Sequence, residues 1–165
     1  MSKLVVLTIN DTIETVDYTG YDSINNVVGG FIEHFWDLPN TSDTLFSFYC
    51  NEEFMLKNDE QLNKFNASAY LICNKRIYGS VAVLVNPDYE KCDDPNAIER
   101  GLTEEEVNTF KNYVQILINN SDITLDELHK QYDGNKSRYN DGITAFDVSS
   151  EELMKVLCKI CRDTK

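Results

Sequence analysis

Two adjacent glycines, Gly29 and Gly30, interrupt an apolar stripe that otherwise has helical spacing. Ile24, Val27, Val28, Phe31, Ile32 and Phe35 stand at offsets 0, 3, 4, 7, 8 and 11, the recurrence of one helix face. At about 100° per residue the stripe spans roughly 140° of arc and leaves both glycines outside it. The spacing predicts a helix capped at Asp22 or Ser23 and ending before Pro39. A glycine inside a helix costs about 1 kcal/mol relative to alanine. A tandem pair therefore requires a local reason: a kink, the close approach of another backbone, or a ligand or partner on the outer face. Packing of a neighbouring segment of this same chain is the preferred reason.

Around this segment the chain alternates strand-length apolar runs with turns. Residues 3–9 and 13–18 read as a hairpin around Asn10-Asp11-Thr12. Residues 45–50 read as a third strand that runs into the polar corner Asn51-Glu52-Glu53. After a polar stretch at 59–66 with room for a short helix, residues 69–73 and 76–85 read as a second hairpin across Asn74-Lys75. Residues 86–101 turn to Pro, Asp, Asn and Glu, the composition of an exposed loop. Three helices follow, each opened by a capping box: Thr103 with Glu106, Thr124 with Glu127, and Ser149 with Glu152. The first sets Val107, Phe110, Val114 and Leu117 at core spacing, and the last does so with Leu153, Val156, Leu157 and Ile160. This order predicts an α+β fold with a mainly antiparallel sheet of about five strands (ββα-β-ββ), followed by a helical C-terminal segment. A boundary near residues 119–123 would divide a core of residues 1–118 from an extension of residues 119–165.

Hydrophobic residues at 42% and aromatics at 11% place the chain with globular proteins rather than disordered ones. Its longest apolar runs, such as Val81–Val85, are too short to span a membrane, and the N-terminal residues lack a signal-peptide pattern. A cytoplasmic location is the expectation. The charge is lopsided, with 28 acidic against 15 basic residues and a net of −13. Residues 1–60 hold eleven Asp and Glu but only Lys3 and Lys57 as cations. Such a field repels nucleic-acid phosphates and suits either a basic partner or simple solubility. Five cysteines, without framework spacing, read as reduced thiols.

Motifs of chemistry are incomplete. Cys158 and Cys161 form a lone CxxC within a helix-period segment, and no second pair completes a zinc site. Asp133, Asn135, Ser137 and Asp141 match ligand positions of a calcium loop. Arg138 and Thr144 stand where that loop needs glycine and glutamate. The two histidines, His34 and His129, lie beside no recognisable nucleophile motif. The expectation is a protein with no catalytic residues, no metal and no cofactor. Asn51-Glu52-Glu53 is different, because carboxylates at a strand end can meet a ligand or partner as well as close a turn.

Val28-Gly29-Gly30-Phe31-Ile32-Glu33, Asn51-Glu52-Glu53, Leu62-Asn63 and Gly79-Ser80-Val81 occur in that order over residues 3–117. In this the chain resembles an uncharacterised domain family of bacteria, their phages and mobile elements. It departs from that pattern in carrying Phe54 where a glycine usually follows the acidic corner, and in its residues beyond about 119. The resemblance implies a phage or mobile-element setting and supplies no activity, substrate or cofactor. Together these readings predict a small acidic, non-enzymatic binding protein that inhibits or modulates a host protein, a defence protein among the options, by occupying its basic surface. Direct nucleic-acid or membrane binding is not expected. Gly29, Gly30, Glu33, Asn51, Glu52, Glu53 and Asn63 are the expected contact residues. Two alternatives stay open: a nucleotide-signal sponge using Lys64, Lys75 and Arg76, and a structural or homodimerising module.

Overall fold

The computed structural model describes residues 2–56 and 60–134. In chain order these form β1 (Lys3–Leu7), β2 (Ile13–Asp17), α1 (Tyr21–Val28), β3 (Ile32–Pro39), β4 (Thr44–Asn51), α2 (Ala67–Cys73), β5 (Val81–Pro87), α3 (Glu104–Asn120) and α4 (Leu125–Tyr132). The strands make one five-stranded sheet in the order β2-β1-β5-β4-β3, antiparallel throughout. The α+β class and the late helices agree with the sequence expectation.

Alternation along the strands divides the buried residues between two faces. Val5, Leu7, Phe46, Phe48, Val81, Val83 and Val85 join the larger core, together with Phe110, Tyr113 and Val114 of α3 and the residues of α2. Leu128 and Tyr132 of α4, beyond the boundary expected near 119–123, belong to this same core. Leu4, Tyr49, Ala82 and Leu84 point the other way and meet Ile24 and Val28 of α1. Thus α1 covers part of one face, while α2, α3 and α4 cover the other.

Two elements differ from the sequence reading. The helix does not run through the glycines: α1 ends at Val28, Gly29 caps it at φ 79°, and residues 32–39 form a strand. Glycine is the commonest helix stop because the left-handed conformation carries no Cβ penalty there. The following Phe-Ile-Glu-His-Phe-Trp run is aromatic and β-branched, and it pairs with β4 across a bulge between His34 and Trp36. The second hairpin is also absent, because residues 67–73 are the helix α2 and only residues 81–87 are a strand. All seven residues of α2 are buried, so it shows no polar face and no helical period. Its marks are its ends. The Asn66 side chain accepts from the Ala69 N–H, and Asn74 caps the C-terminus at φ 57°. Asn66 is wholly buried, and its Nδ2 donates to the carbonyls of Leu7 and Gly79 at 2.9 Å each, tying α2 to the sheet.

Both capping boxes within the described residues form as expected, at Thr103–Glu106 and Thr124–Glu127. The third, at Ser149–Glu152, lies outside those residues, as do Cys158, Cys161 and the calcium-like loop from Asn135 onward. Residues 100–102 lead into α3 by bridging two strands, Arg100 against Val85 and Leu102 against Lys3. Gly101 permits this approach, since a Cβ there would lie 2.7 Å from that of Ser2 and 2.9 Å from the Lys3 backbone.

Candidate functional site

The corner expected to make contacts is assembled by the fold and engaged with itself. Gly29 N–H donates to the Asn25 carbonyl at 2.8 Å, and Asn25 Nδ2 donates to the Gly30 carbonyl at 2.6 Å. The Asn51 side chain, 1% exposed, donates to the Val28 carbonyl at 3.1 Å and accepts from the Glu53 N–H at 2.8 Å. The Glu52 N–H donates to the Phe31 carbonyl at 2.8 Å. A Cβ on Gly30 would stand 3.0 Å from Asn51 Nδ2, so the space beside this glycine is taken by that amide. Gly29, Gly30, Asn51, Glu52 and Glu53 are therefore brought together around the end of α1. The exposed Glu33 pairs in register with Cys50, and the Asn63 carbonyl is engaged elsewhere, accepting from Gly134. Burial, followed by the charge of Glu33, pushes the Cys50 thiol up to about 12, which leaves it an inert core group.

A different set of polar groups converges on the α1 side of the sheet, where α1 leaves β3, β4 and the end of β5 uncovered. An open hollow of about 500 Å³ is lined there by His34, Asp37, Ser47, Tyr49, Asn86, Tyr89 and Glu99, among others. Strand alternation supplies the middle of this set. Phe46 and Phe48 turn into the larger core, so Ser47 and Tyr49 turn toward the hollow with their register partners Asp37 and His34. Glu99 arrives from the long loop after β5. Its Oε1 accepts from the Tyr18 hydroxyl at 3.0 Å and its Oε2 from the Tyr49 hydroxyl at 2.6 Å, while Asn86 Nδ2 donates to the Tyr49 oxygen at 2.6 Å. Burial first, then the bond and charge of Glu99, push Tyr18 up to about 12 and raise Tyr49 in the same sense. Both phenols therefore remain donors, and Glu99 is held as an acceptor.

Asp37 anchors the other side. One oxygen accepts from Ser47 at 2.6 Å and lies 2.8 Å from His34 Nε2. The Ser47 hydroxyl thus donates to a carboxylate rather than to an imidazole, which is not the nucleophile–base bond of a serine hydrolase. Among the described residues no group of three His, Cys, Asp or Glu side chains is placed to hold a metal ion. At the rim, Tyr89 is 76% exposed, and Ile98, also 76% exposed, lines an adjoining hollow of about 290 Å³ that shares Asn86 and Pro87. The sequence signal for this site was the alternation Leu45-Ser47-Tyr49 against Phe46-Phe48-Cys50. Nothing local linked it to Glu99.

Two of the three cations singled out for phosphate binding, Lys75 and Arg76, have other surroundings. Lys75 Nζ donates to the Phe35 carbonyl and lies 5.3 Å from the centre of the Trp36 ring. Arg76 is buried with its guanidinium 4.9 Å from the centre of the Tyr132 ring. Three further cations, Lys3, Arg100 and Lys111, line another hollow, of about 730 Å³, at the start of α3. There Lys3 is paired with Asp17 at 2.6 Å and Arg100 with Glu106 at 2.6 Å.

Searches of protein-family models, curated proteins and solved structures return no match to this chain.

Proposed function

We propose that this is a small acidic binding protein that acts without catalysis, by occupying a basic surface of another protein. The setting is that of a phage or mobile element, with the surface belonging to a host protein. The observation that carries this reading is the hollow on the α1 side. Asp37 and Glu99 face it, no lysine or arginine among the described residues lines it, and exposed Tyr89 and Ile98 flank it. Aromatic anchors beside polar groups are the composition of interface cores. The net charge of −13 adds a long-range field that speeds encounter with a basic partner and selects it.

Capture from bacterial lysate tests the reading. A host protein retained at low salt is expected to be lost at high salt, lost by a Glu99→Arg, Tyr89→Ala variant, and kept by a Glu104→Lys control on α3. Failure to retain any protein at low salt, or retention that survives the double substitution, overturns it.

A small-molecule reading is favoured by one separate feature, the hollow lined by Lys3, Arg100 and Lys111. A thermal-shift screen with nucleotides and cyclic dinucleotides checks it, since a bound ligand raises Tm by mass action.

A further inference from the structure

We propose that the hollow between β3, β4 and the loop after β5 is a socket for a guanidinium group, an arginine side chain presented by the partner. This rests on the reading above that the partner is a basic protein, and it names the group that is recognised.

Charge and hydrogen-bonding capacity argue for a cation. Each Glu99 oxygen takes one phenol, and a carboxylate oxygen accepts about two bonds, so each retains an accepting site. Asp37 takes both Ser47 and His34 on one oxygen, and its other oxygen has no hydrogen bond among the described residues. These carboxylates are pinned before any ligand arrives, which reduces the ordering cost of binding. Among the described residues no lysine or arginine stands in the lining, so apart from the His34 ring beside Asp37 these carboxylates face no cationic side chain there. A phosphate or carboxylate ligand would be repelled by the same two groups.

Shape argues for guanidinium over ammonium or a metal ion. Aromatic rings contribute to the lining: His34 and Tyr49 pack against each other, tilted by 48° with centres 5.4 Å apart, and the exposed Tyr89 joins them. A guanidinium is planar, weakly hydrated and stacks on such rings, while its five donors spread to acceptors on more than one side. An ammonium is compact and strongly hydrated, so it gains less from aromatic walls. A metal ion is disfavoured because no three ligating side chains stand together among the described residues.

The test needs no partner and so separates this inference from the function it rests on. Nα-acetyl-arginine amide, Nα-acetyl-lysine amide and Nα-acetyl-norleucine amide are titrated into the full chain, with the ring resonances of Tyr49, Tyr89 and His34 followed by NMR. The arginine probe is expected to saturate in the millimolar range of a fragment this small, ahead of the lysine probe, with norleucine inert. Glu99→Gln is expected to weaken the arginine probe by roughly tenfold or more, through loss of charge-assisted bonds. Tyr89→Ala, at a site too exposed to disturb folding, should weaken it several-fold. No saturable shift with the arginine probe, equal affinity for lysine, or unchanged affinity in both variants overturns the socket. If arginine binds and no protein is captured from lysate, the socket stands and the partner reading falls.

Discussion

Asn51 holds the corner at Gly29 and Gly30 together, and a double-mutant cycle between Asn51 and Gly30 measures how much. Asn51→Ala removes the donor to the Val28 carbonyl and the acceptor of the Glu53 N–H. A buried polar group left without a partner costs about 1–3 kcal/mol. Val28 is 3% exposed and bears most of that cost, whereas Glu53 is half-buried and its N–H can turn to water. The expected loss is about 2–3 kcal/mol. Gly30 does not have a positive φ, so alanine there is unstrained by the backbone and would gain about 0.4–1 kcal/mol through the unfolded chain. In the native protein its Cβ would instead press on Asn51 Nδ2 at 3.0 Å, and that amide is fixed by its own bonds. The result should be a net cost of about 1 kcal/mol. The three atoms nearest that Cβ all belong to the Asn51 amide, so in an Asn51→Ala background the penalty disappears. Gly30→Ala should then be neutral or stabilising, giving a coupling of about 1–2 kcal/mol. Urea unfolding of the four proteins reads it directly. Additivity within about 0.5 kcal/mol would refute the reasoning.

Gly29→Ala tests the other glycine. With φ 79° and open space around its Cβ position, it should cost about 1 kcal/mol from backbone strain alone, unchanged by the residue at 51. For His129, burial lowers the pKa. Bonds to Asp133 at 3.0 Å and Asp11 at 2.7 Å, with the charge of both, outweigh this and hold it above the usual 6.5. The clasp therefore contributes fully below about pH 6.5 and is lost as pH rises through the folded value. The difference in urea midpoint between the native protein and His129→Gln should narrow over that rise, and a constant difference would refute it. Glu106 has the opposite sign. Burial raises its pKa, but bonds from Arg100, the Thr103 N–H and Asn40 more than offset this and bring it to about 2. Its contribution is present above about pH 4.5 and lost as pH falls toward 2, so Glu106→Gln should destabilise at neutral pH and converge with the native protein in acid. Phe65→Ala, in a wholly buried ring cluster with Tyr70, Tyr78 and Tyr132, should cost about 3–5 kcal/mol in urea unfolding.

Where the sequence misled, local signals had two physical meanings. Gly29 could interrupt a helix or end one, and Phe31, Ile32 and Phe35 continued the helical spacing by coincidence with a strand. The alternative becomes legible when the left-handed preference of glycine is weighed with the aromatic and β-branched run behind it. Asn74 posed the same ambiguity, since the left-handed conformation that closes a hairpin also caps a helix. Nothing in the spacing of Ala67–Cys73 resolved it, because a helix buried on every side has no polar period to display.

By itself the sequence determined what depends on near neighbours. The β1–β2 hairpin, the two capping boxes at Thr103 and Thr124, the acidic field and the α+β class all rest on residues a few positions apart or on composition. Only the tertiary structure decided that Asn51 fills the space beside Gly30, and that Glu99 meets Tyr18 and Tyr49 across separations of 81 and 50 residues. Those meetings depend on sheet order and on which face each strand turns outward. They bring together side chains whose own surroundings in the chain carry no mark of the pairing.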